Sequence, residues 1–298
     1  MHVSDAQLDE VRTRGFTVVE NFLDAPTLTA AQRALWSIFP TPQEYFAEPA
    51  RHTRFTRSQF AGLRLFPYPS WSLNRLAVLP DLVDAAERFC GTPDLHLYKI
   101  ELWAKYAGAI DYDQPHHRDY GNHSLVVPKL AGSHVQMTTF ILLSDVTELD
   151  GPTKIVPNER ARDVPLVPRE LPMGVLFDAE VSITAPAGSL LIYRTDVLHR
   201  GSNFKAPNRS RFTMLVDFQP RGVPWTGKMA WPNQSLSPDW TDAMVRMTPR
   251  QRALFGFPVP GDAYWDEQTL RDVALRYPGM HMAPYRAERD VGVGSEGQ

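Results

Sequence analysis

The sequence predicts a mainly β protein of the jelly-roll or other β-barrel type, buttressed on one side by helices. Three observations carry this reading. The first ninety or so residues have helical periodicity with recognisable caps, whereas from Leu95 onward short runs rich in β-branched and aromatic residues take over. Turn chemistry separates those runs, notably Asp150-Gly151-Pro152 and Ala185-Pro186-Ala187-Gly188. The connections are long and varied, without the strand-helix alternation that marks a parallel α/β sheet.

Taken in order, Ser4 is placed to cap a short helix carrying Leu8 and Val11 on one side and ending at Gly15, and Phe16 to Val19 follows as a brief extended segment. A second helix starts near Pro26 with Leu28, Ala31 and Leu35 on one stripe; a third carries Leu82, Ala86 and Phe89 and stops at Gly91. Strands are expected over His96 to Tyr106, His134 to Ser144, Thr153 to Val156, Ser189 to Arg194 and Ser210 to Phe218. After Arg221 comes a tail holding Trp225, Trp231, Trp240 and Trp265, with helices around Thr248 to Phe255 and Asp266 to Arg276. No linker composition precedes it. One domain is therefore expected over 1–298, made of helical support (1–94), a β core with a metal site (95–221) and a Trp-rich extension (222–298) packed on the barrel, its rings forming core or dimer contacts.

Composition narrows the function classes. The 43% of apolar residues can fill a core in a chain of 298 residues. With 31 basic and 34 acidic side chains the formal charge is -3, and no block of like charge tracks phosphates, so nucleic acid is not an expected partner. The single cysteine, Cys90, excludes an intramolecular disulfide and a thiolate metal cluster. Met1 to Asp5 lack a signal-peptide profile, and no apolar run approaches the roughly 18 residues of a membrane span. A cytoplasmic protein without membrane contact is the expectation.

The chemistry-bearing feature is Pro115-His116-His117-Arg118-Asp119-Tyr120. In extended chain, residues i and i+2 share a face about 6.6 Å apart along the strand, so His117 and Asp119 can converge on one ion while His116 has the opposite parity. By itself the pair is weak evidence, since chance supplies a His-x-Asp in about every second chain of this size. Downstream, Val197-Leu198-His199-Arg200-Gly201 brings a second histidine to the end of a short apolar run. Two histidines and a carboxylate form the facial triad of non-haem Fe(II), with three positions left for other ligands. A catalytic zinc accepts the same residue types, so these alone leave the metal open. A non-catalytic barrel is the third reading, and it requires the ring nitrogens of His117 and His199 to be more than about 5 Å apart, since metal bonds are near 2 Å.

A cation adds to the pattern. In Arg211-Phe212-Thr213-Met214-Leu215-Val216-Asp217-Phe218, the even positions are apolar and the other face bears Arg211 and Thr213. An arginine aimed into a barrel is costly without an anion, and its planar fork grips a carboxylate through two bonds. Arg209 has the same parity and competes for the role.

Together these residues resemble the phytanoyl-CoA dioxygenase family of Fe(II)- and 2-oxoglutarate-dependent oxygenases. The likeness covers roughly residues 5–220. It rests on the leading helix before Gly15-Phe16-Thr17-Val18-Val19, the His117-x-Asp119 pair and Leu142-Leu143-Ser144-Asp145-Val146 running into Asp150-Gly151-Pro152-Thr153-Lys154-Ile155-Val156-Pro157. It continues through the Ala187-Gly188-Ser189 turn and His199-Arg200-Gly201 to the arginine about a dozen residues on. The resemblance implies a double-stranded β-helix, with Fe(II) bound by His117, Asp119 and His199 as the catalytic centre. It further implies that Arg211 holds the distal carboxylate of the cosubstrate 2-oxoglutarate, Thr153 adds a hydroxyl to it, and Lys105 is a weaker candidate for that role. O2 would be the third reactant, and hydroxylation of an unactivated C–H with release of succinate and CO2 the outcome. A zinc-dependent hydrolase or isomerase using the same site is the alternative.

Departures from the family pattern shape the remaining expectations. Pro157-Asn158-Glu159-Arg160 replaces the usual Pro-Gly-Ser-His, leaving that loop unassigned. Asp119 separates the chain from halogenating relatives, which carry a small residue there. The lack of a basic cluster argues against a CoA nucleotide, so the partner is a small or medium organic molecule, bound by a monomer or homodimer. Its pocket would draw on Phe55, Arg57, the loop after Tyr120 and the tail. His52, His96, His123 and His134 are expected to be ordinary polar or packing residues, and Asp196, three positions before His199, a turn residue, with support of the metal ligands as its alternative role.

Overall fold

The computed structural model describes residues 2–108, 113–123, 135–222 and 230–286, and the chain divides into two compact units, 1–229 and 230–298. Caps set the early helices as expected. The Ser4 side chain accepts from the Gln7 amide ahead of Asp5–Arg14, and Gly15 ends that helix at φ +100°. Asp24 caps Ala25–Leu35, and Gly91 at φ +73° ends Pro80–Cys90. The helix Pro42–Ala47, with its Thr41/Glu44 capping box, was not anticipated. No helix among the described residues is long and apolar enough to cross a membrane.

The strands, in chain order, are β1 (Phe16–Val19), β2 (Leu63–Leu65), β3 (Leu95–Tyr106), β4 (Met137–Leu142), β5 (Lys154–Ile155), β6 (Val181–Ser182), β7 (Leu190–Arg194), β8 (His199–Arg200) and β9 (Ser210–Pro220). They form a six-stranded sheet in the order β1-β7-β4-β9-β3-β2 and a three-stranded sheet in the order β6-β5-β8. Their pairings are antiparallel. The expected β architecture is thus present as two sheets rather than a closed barrel. β2, β6 and β8 were not anticipated, because two or three residues are too few to show a period and owe their geometry to neighbours. His134, the expected start of the strand observed as β4, lies outside the described residues.

Period-two alternation gives the large sheet two chemically distinct faces. On the outer face Phe212 meets Trp36, Tyr106 and Phe39 at centroid distances of 5.2, 5.7 and 6.2 Å, and Tyr106 stacks on Tyr45 at 4.0 Å. Part of the inner face is closed by the small sheet: Phe16, Leu191 and Tyr193 pack with Ile155, Ile183 and Val197 in one buried cluster. The rest of that face carries polar side chains among a few apolar ones and lines a cavity.

A bulge decides which residues of β3 share that polar face. Leu97 pairs with Phe218, but Lys99 pairs with Asp217, so one extra residue is inserted between them. The insertion reverses the parity of everything after it. Lys99, Glu101, Trp103 and Lys105 consequently face the same way as Asp217, Leu215, Thr213 and Arg211.

The second unit contains the helices Pro238–Arg246, Pro249–Ala253 and Glu267–Arg276, of which the first was not anticipated. Its indoles serve its own interior. Trp240 lies 6.2 Å from Trp231 and 5.7 Å from Phe255, and Trp265 lies 4.3 Å from Tyr285. Arg252, also buried, donates to the Met244 carbonyl and the Tyr285 hydroxyl, both at 2.8 Å. Trp225 falls outside the described residues.

Candidate metal centre

His117 and His199 are brought together by backbone pairing. The His117 amide donates to the His199 carbonyl at 2.8 Å and the His199 amide returns a bond to the His117 carbonyl at 3.0 Å. An antiparallel pair that exchanges both bonds puts its two side chains on the same face. The imidazole centroids are accordingly 4.5 Å apart. Asp119, two residues on from His117, joins them: its Oδ1 is 3.9 Å from His117 Nε2 and its Oδ2 is 3.5 Å from His199 Nε2. One ligating atom from each of the three lies within 4.8 Å of the others. This is inside the separation that a reading of the His-x-Asp as incidental requires. His116 turns away as its parity demands, with Nδ1 2.9 Å from the Val175 carbonyl and Nε2 3.1 Å from Glu180.

The protonation geometry suits a metal. His117 Nδ1 is 3.0 Å from the Pro115 carbonyl, and His199 Nδ1 is 3.2 Å from the Val197 carbonyl. A carbonyl can only accept, so each Nδ1 carries a proton and each Nε2 is the ring nitrogen turned to the shared space. Two imidazoles and one carboxylate within reach of a single point fit a divalent ion of the non-haem iron kind. Burial drives the His199 pKa down to about 4, against the pull of Asp119. Its neutral form is therefore the native one, and the stability linked to it is complete above about pH 6.5 and lost as pH falls toward 4. An imidazole NMR titration of the metal-free protein should show His199 unprotonated at pH 5.5; a midpoint near 6.5 would contradict this.

Burial by itself would raise the Asp119 pKa, but His199, His123, Lys99 and His117 together hold it well below the usual carboxylate range. Lys99 and His123 belong to a cluster that sequence reasoning missed. Lys99 Nζ lies 2.8 Å from Asp217, 3.2 Å from His123 Nε2 and 4.0 Å from Glu101, while His123 Nδ1 is 3.1 Å from the Tyr98 hydroxyl. All five are buried. His123 is thus not an ordinary packing residue. The register puts Lys99, Asp217, Thr138 and Tyr193 in one cross-strand row over β3, β9, β4 and β7. The row reaches the triad through Tyr193, whose hydroxyl donates to Asp119 Oδ2 at 2.8 Å.

The three residues line a cavity of about 280 Å³ together with Arg211, Thr153 and Lys105. Lys105 and Arg211 are directly opposed across β3 and β9, and both are buried. Like charges so placed repel, and an anion between them turns that repulsion into attraction. Arg209 is engaged elsewhere: its Nε and Nη2 bind the two oxygens of buried Asp150 at 2.7 and 2.8 Å. Arg211 donates through Nη1 to the Gly151 carbonyl. Gly151 has φ +58°, and a Cβ there would stand 2.5 Å from the Ser202 carbonyl oxygen. Gly151→Ala should cost at least about 2 kcal/mol and loosen the seat of Arg211. Denaturant unfolding checks the first effect and 2-oxoglutarate titration the second; wild-type values in both would remove Gly151 from this role.

Other expected pocket residues fall elsewhere. Phe55 is buried against Tyr45 and Tyr106, and the cavity wall instead includes Phe60, Trp103, Phe140 and Tyr193, of which Phe60 stacks on Trp103 at 5.3 Å. Residues 124–134, most of the loop after Tyr120, are outside the described residues. Asp196 pairs with Arg194 at 2.7 Å, as a turn residue would. The Asn158 side chain of the divergent loop donates to the Thr13 carbonyl at 3.3 Å.

Known proteins supply the remaining comparison. The chain matches the phytanoyl-CoA dioxygenase (PhyH) family over residues 11–212. No curated protein matches it. Among solved structures it is similar to the non-heme alpha ketoglutarate dependent carbocyclase SnoK from nogalamycin biosynthesis, with a TM-score of 0.52 and 16% identity over 80% of this chain and 92% of that one. It is also similar to the epimerase SnoN, solved with Fe3+, alpha ketoglutarate and nogalamycin RO, with a TM-score of 0.51 and 18% identity over 72% and 83%. At these identities the likeness is one of fold.

Proposed function

The chain belongs to the phytanoyl-CoA dioxygenase family of non-haem iron, 2-oxoglutarate-dependent enzymes, and from that premise we propose that it hydroxylates an unactivated C–H bond of a small or medium organic molecule. The observation that carries the reading is a single cavity walled by His117, Asp119 and His199 and also by the opposed cations Lys105 and Arg211. When bound, iron would let O2 act as the oxidant, with 2-oxoglutarate giving up two electrons and leaving as succinate and CO2.

The protein's own residues provide placement. His117, Asp119 and His199 would hold the metal from one side and leave its other side to the cosubstrate and O2. Arg211 would grip the distal carboxylate of 2-oxoglutarate through its planar fork, with Thr153 adding a hydroxyl and Lys105 a second positive charge. Phe140 and Leu215 make part of the wall apolar, which excludes water from the reacting bond. The carboxylate at position 119 supports oxygenation over halogenation, since a small residue there would open a position for halide.

The reading is tested by loading anaerobically purified protein with Fe(II), adding 2-oxoglutarate and O2, and measuring succinate against a panel of organic substrates. Substrate-dependent succinate with a product heavier by one oxygen is the expected result. Succinate with an isomerised, desaturated or cyclised product would retain the enzyme class and replace hydroxylation. Zinc retention with no 2-oxoglutarate binding would sink the reading.

A further inference from the structure

Tyr193 touches two of the three residues that would hold the metal. Its hydroxyl donates to Asp119 Oδ2 at 2.8 Å, and its ring centroid is 5.0 Å from that of His199. The side chain has little freedom. It is fully buried, set edge-on against Phe140 at 5.5 Å, and its backbone is paired with Phe16 on one side and Thr138 on the other. A phenol fixed on that many sides is a rigid point from which to orient a carboxylate.

We propose that Tyr193 is a positioning residue of the metal centre: its hydroxyl, bonded to Oδ2 of Asp119, fixes the rotation of that carboxylate so that the metal receives one oxygen from it, and its ring limits the tilt of the His199 imidazole. The consequence is chemical. A carboxylate free to rotate can offer both oxygens to an ion, and the second oxygen would take a position that 2-oxoglutarate needs. The inference rests on the metal-centre reading above and adds to it the reason Asp119 would serve as a one-oxygen ligand. Hydrogen-bonding partners of metal ligands of this kind are worth about 10- to 100-fold in metal affinity.

The test uses Tyr193→Phe, which keeps the ring and removes the hydroxyl, with Co(II) as the metal probe. Calorimetric titration should give a Co(II) Kd raised about 10- to 100-fold. The visible spectrum of the Co(II) protein should change, reporting altered coordination, and the 2-oxoglutarate Kd measured on the Co(II) protein should rise as well. Far-UV circular dichroism should match the wild type. A folded Tyr193→Phe protein with wild-type Co(II) affinity and spectrum would overturn the proposal. So would a variant that loses its fold without metal, since the role of Tyr193 would then be structural. If the wild-type protein binds no Co(II), the metal centre fails together with this inference; if the wild type binds and the variant is indistinguishable from it, only the inference fails.

Discussion

Asp119→Ala will leave a folded protein that has lost stoichiometric Fe(II) binding and at least about a thousandfold of its turnover. Two imidazoles remain at the site, but the single negative charge that offsets a divalent cation is gone, and with it the oxygen that makes the donor set facial. Removing a carboxylate whose pKa is held low by His199, His123, Lys99 and His117 leaves those groups without their shared anion. The variant should therefore lose some stability along with the metal, so far-UV circular dichroism is used to check that it is folded before its metal content is read. Metal content by mass spectrometry and Co(II) titration measure the first effect, and succinate release the second. Wild-type metal content in the variant would remove Asp119 from the donor set. His199→Ala should lose metal equally, because the Val197 carbonyl orients that imidazole for no other evident purpose.

The second large effect is expected at Arg211. Arg211→Ala should raise the 2-oxoglutarate Kd by about 30-fold or more, since truncating one member of a buried, charge-assisted pair costs about 2–5 kcal/mol. The Co(II) Kd measured without cosubstrate should move by less than about threefold, because Arg211 is not a metal ligand. Arg209→Ala is the control. It breaks the two-bond pair with Asp150, which is buried, so it should lower stability while leaving 2-oxoglutarate affinity unchanged. Unchanged affinity in Arg211→Ala would transfer the carboxylate to Lys105, and that variant should then show the loss. The sequence leaves both arginines eligible because they share parity; their partners separate them.

How far the site can be read from sequence depends on how local each piece is. The spacing of His117 and Asp119 is a two-residue property, and an extended backbone converts it directly into a shared face. The alternation of β9 sorts Arg211 and Thr213 from Phe212 and Met214 for the same reason. Nothing local marks Lys99, Asp217 or Tyr193. Each reads as an ordinary member of an amphipathic strand, and the β3 pattern is misleading because the insertion between Leu97 and Lys99 reverses parity partway along. The missed helix Pro238–Arg246 is a different case. Its signals, Ser237 ahead of Pro238 and Asp239, are present in the sequence and were legible.

What the sequence determines without help is therefore the kind of fold, the caps of its early helices, the order His117, Asp119, His199, Arg211 along the chain, and the resemblance that gives that order a meaning. Only the tertiary structure decides that His117 and His199 exchange two backbone bonds, that Arg209 is taken by Asp150 while Arg211 lines the cavity, and that Tyr193 reaches Asp119. The physical reason is common to all three. Periodicity and capping are settled by residues within a few positions of each other, whereas strand register is settled by partners dozens of residues away, and a shift of one residue would turn every one of these side chains to the opposite face.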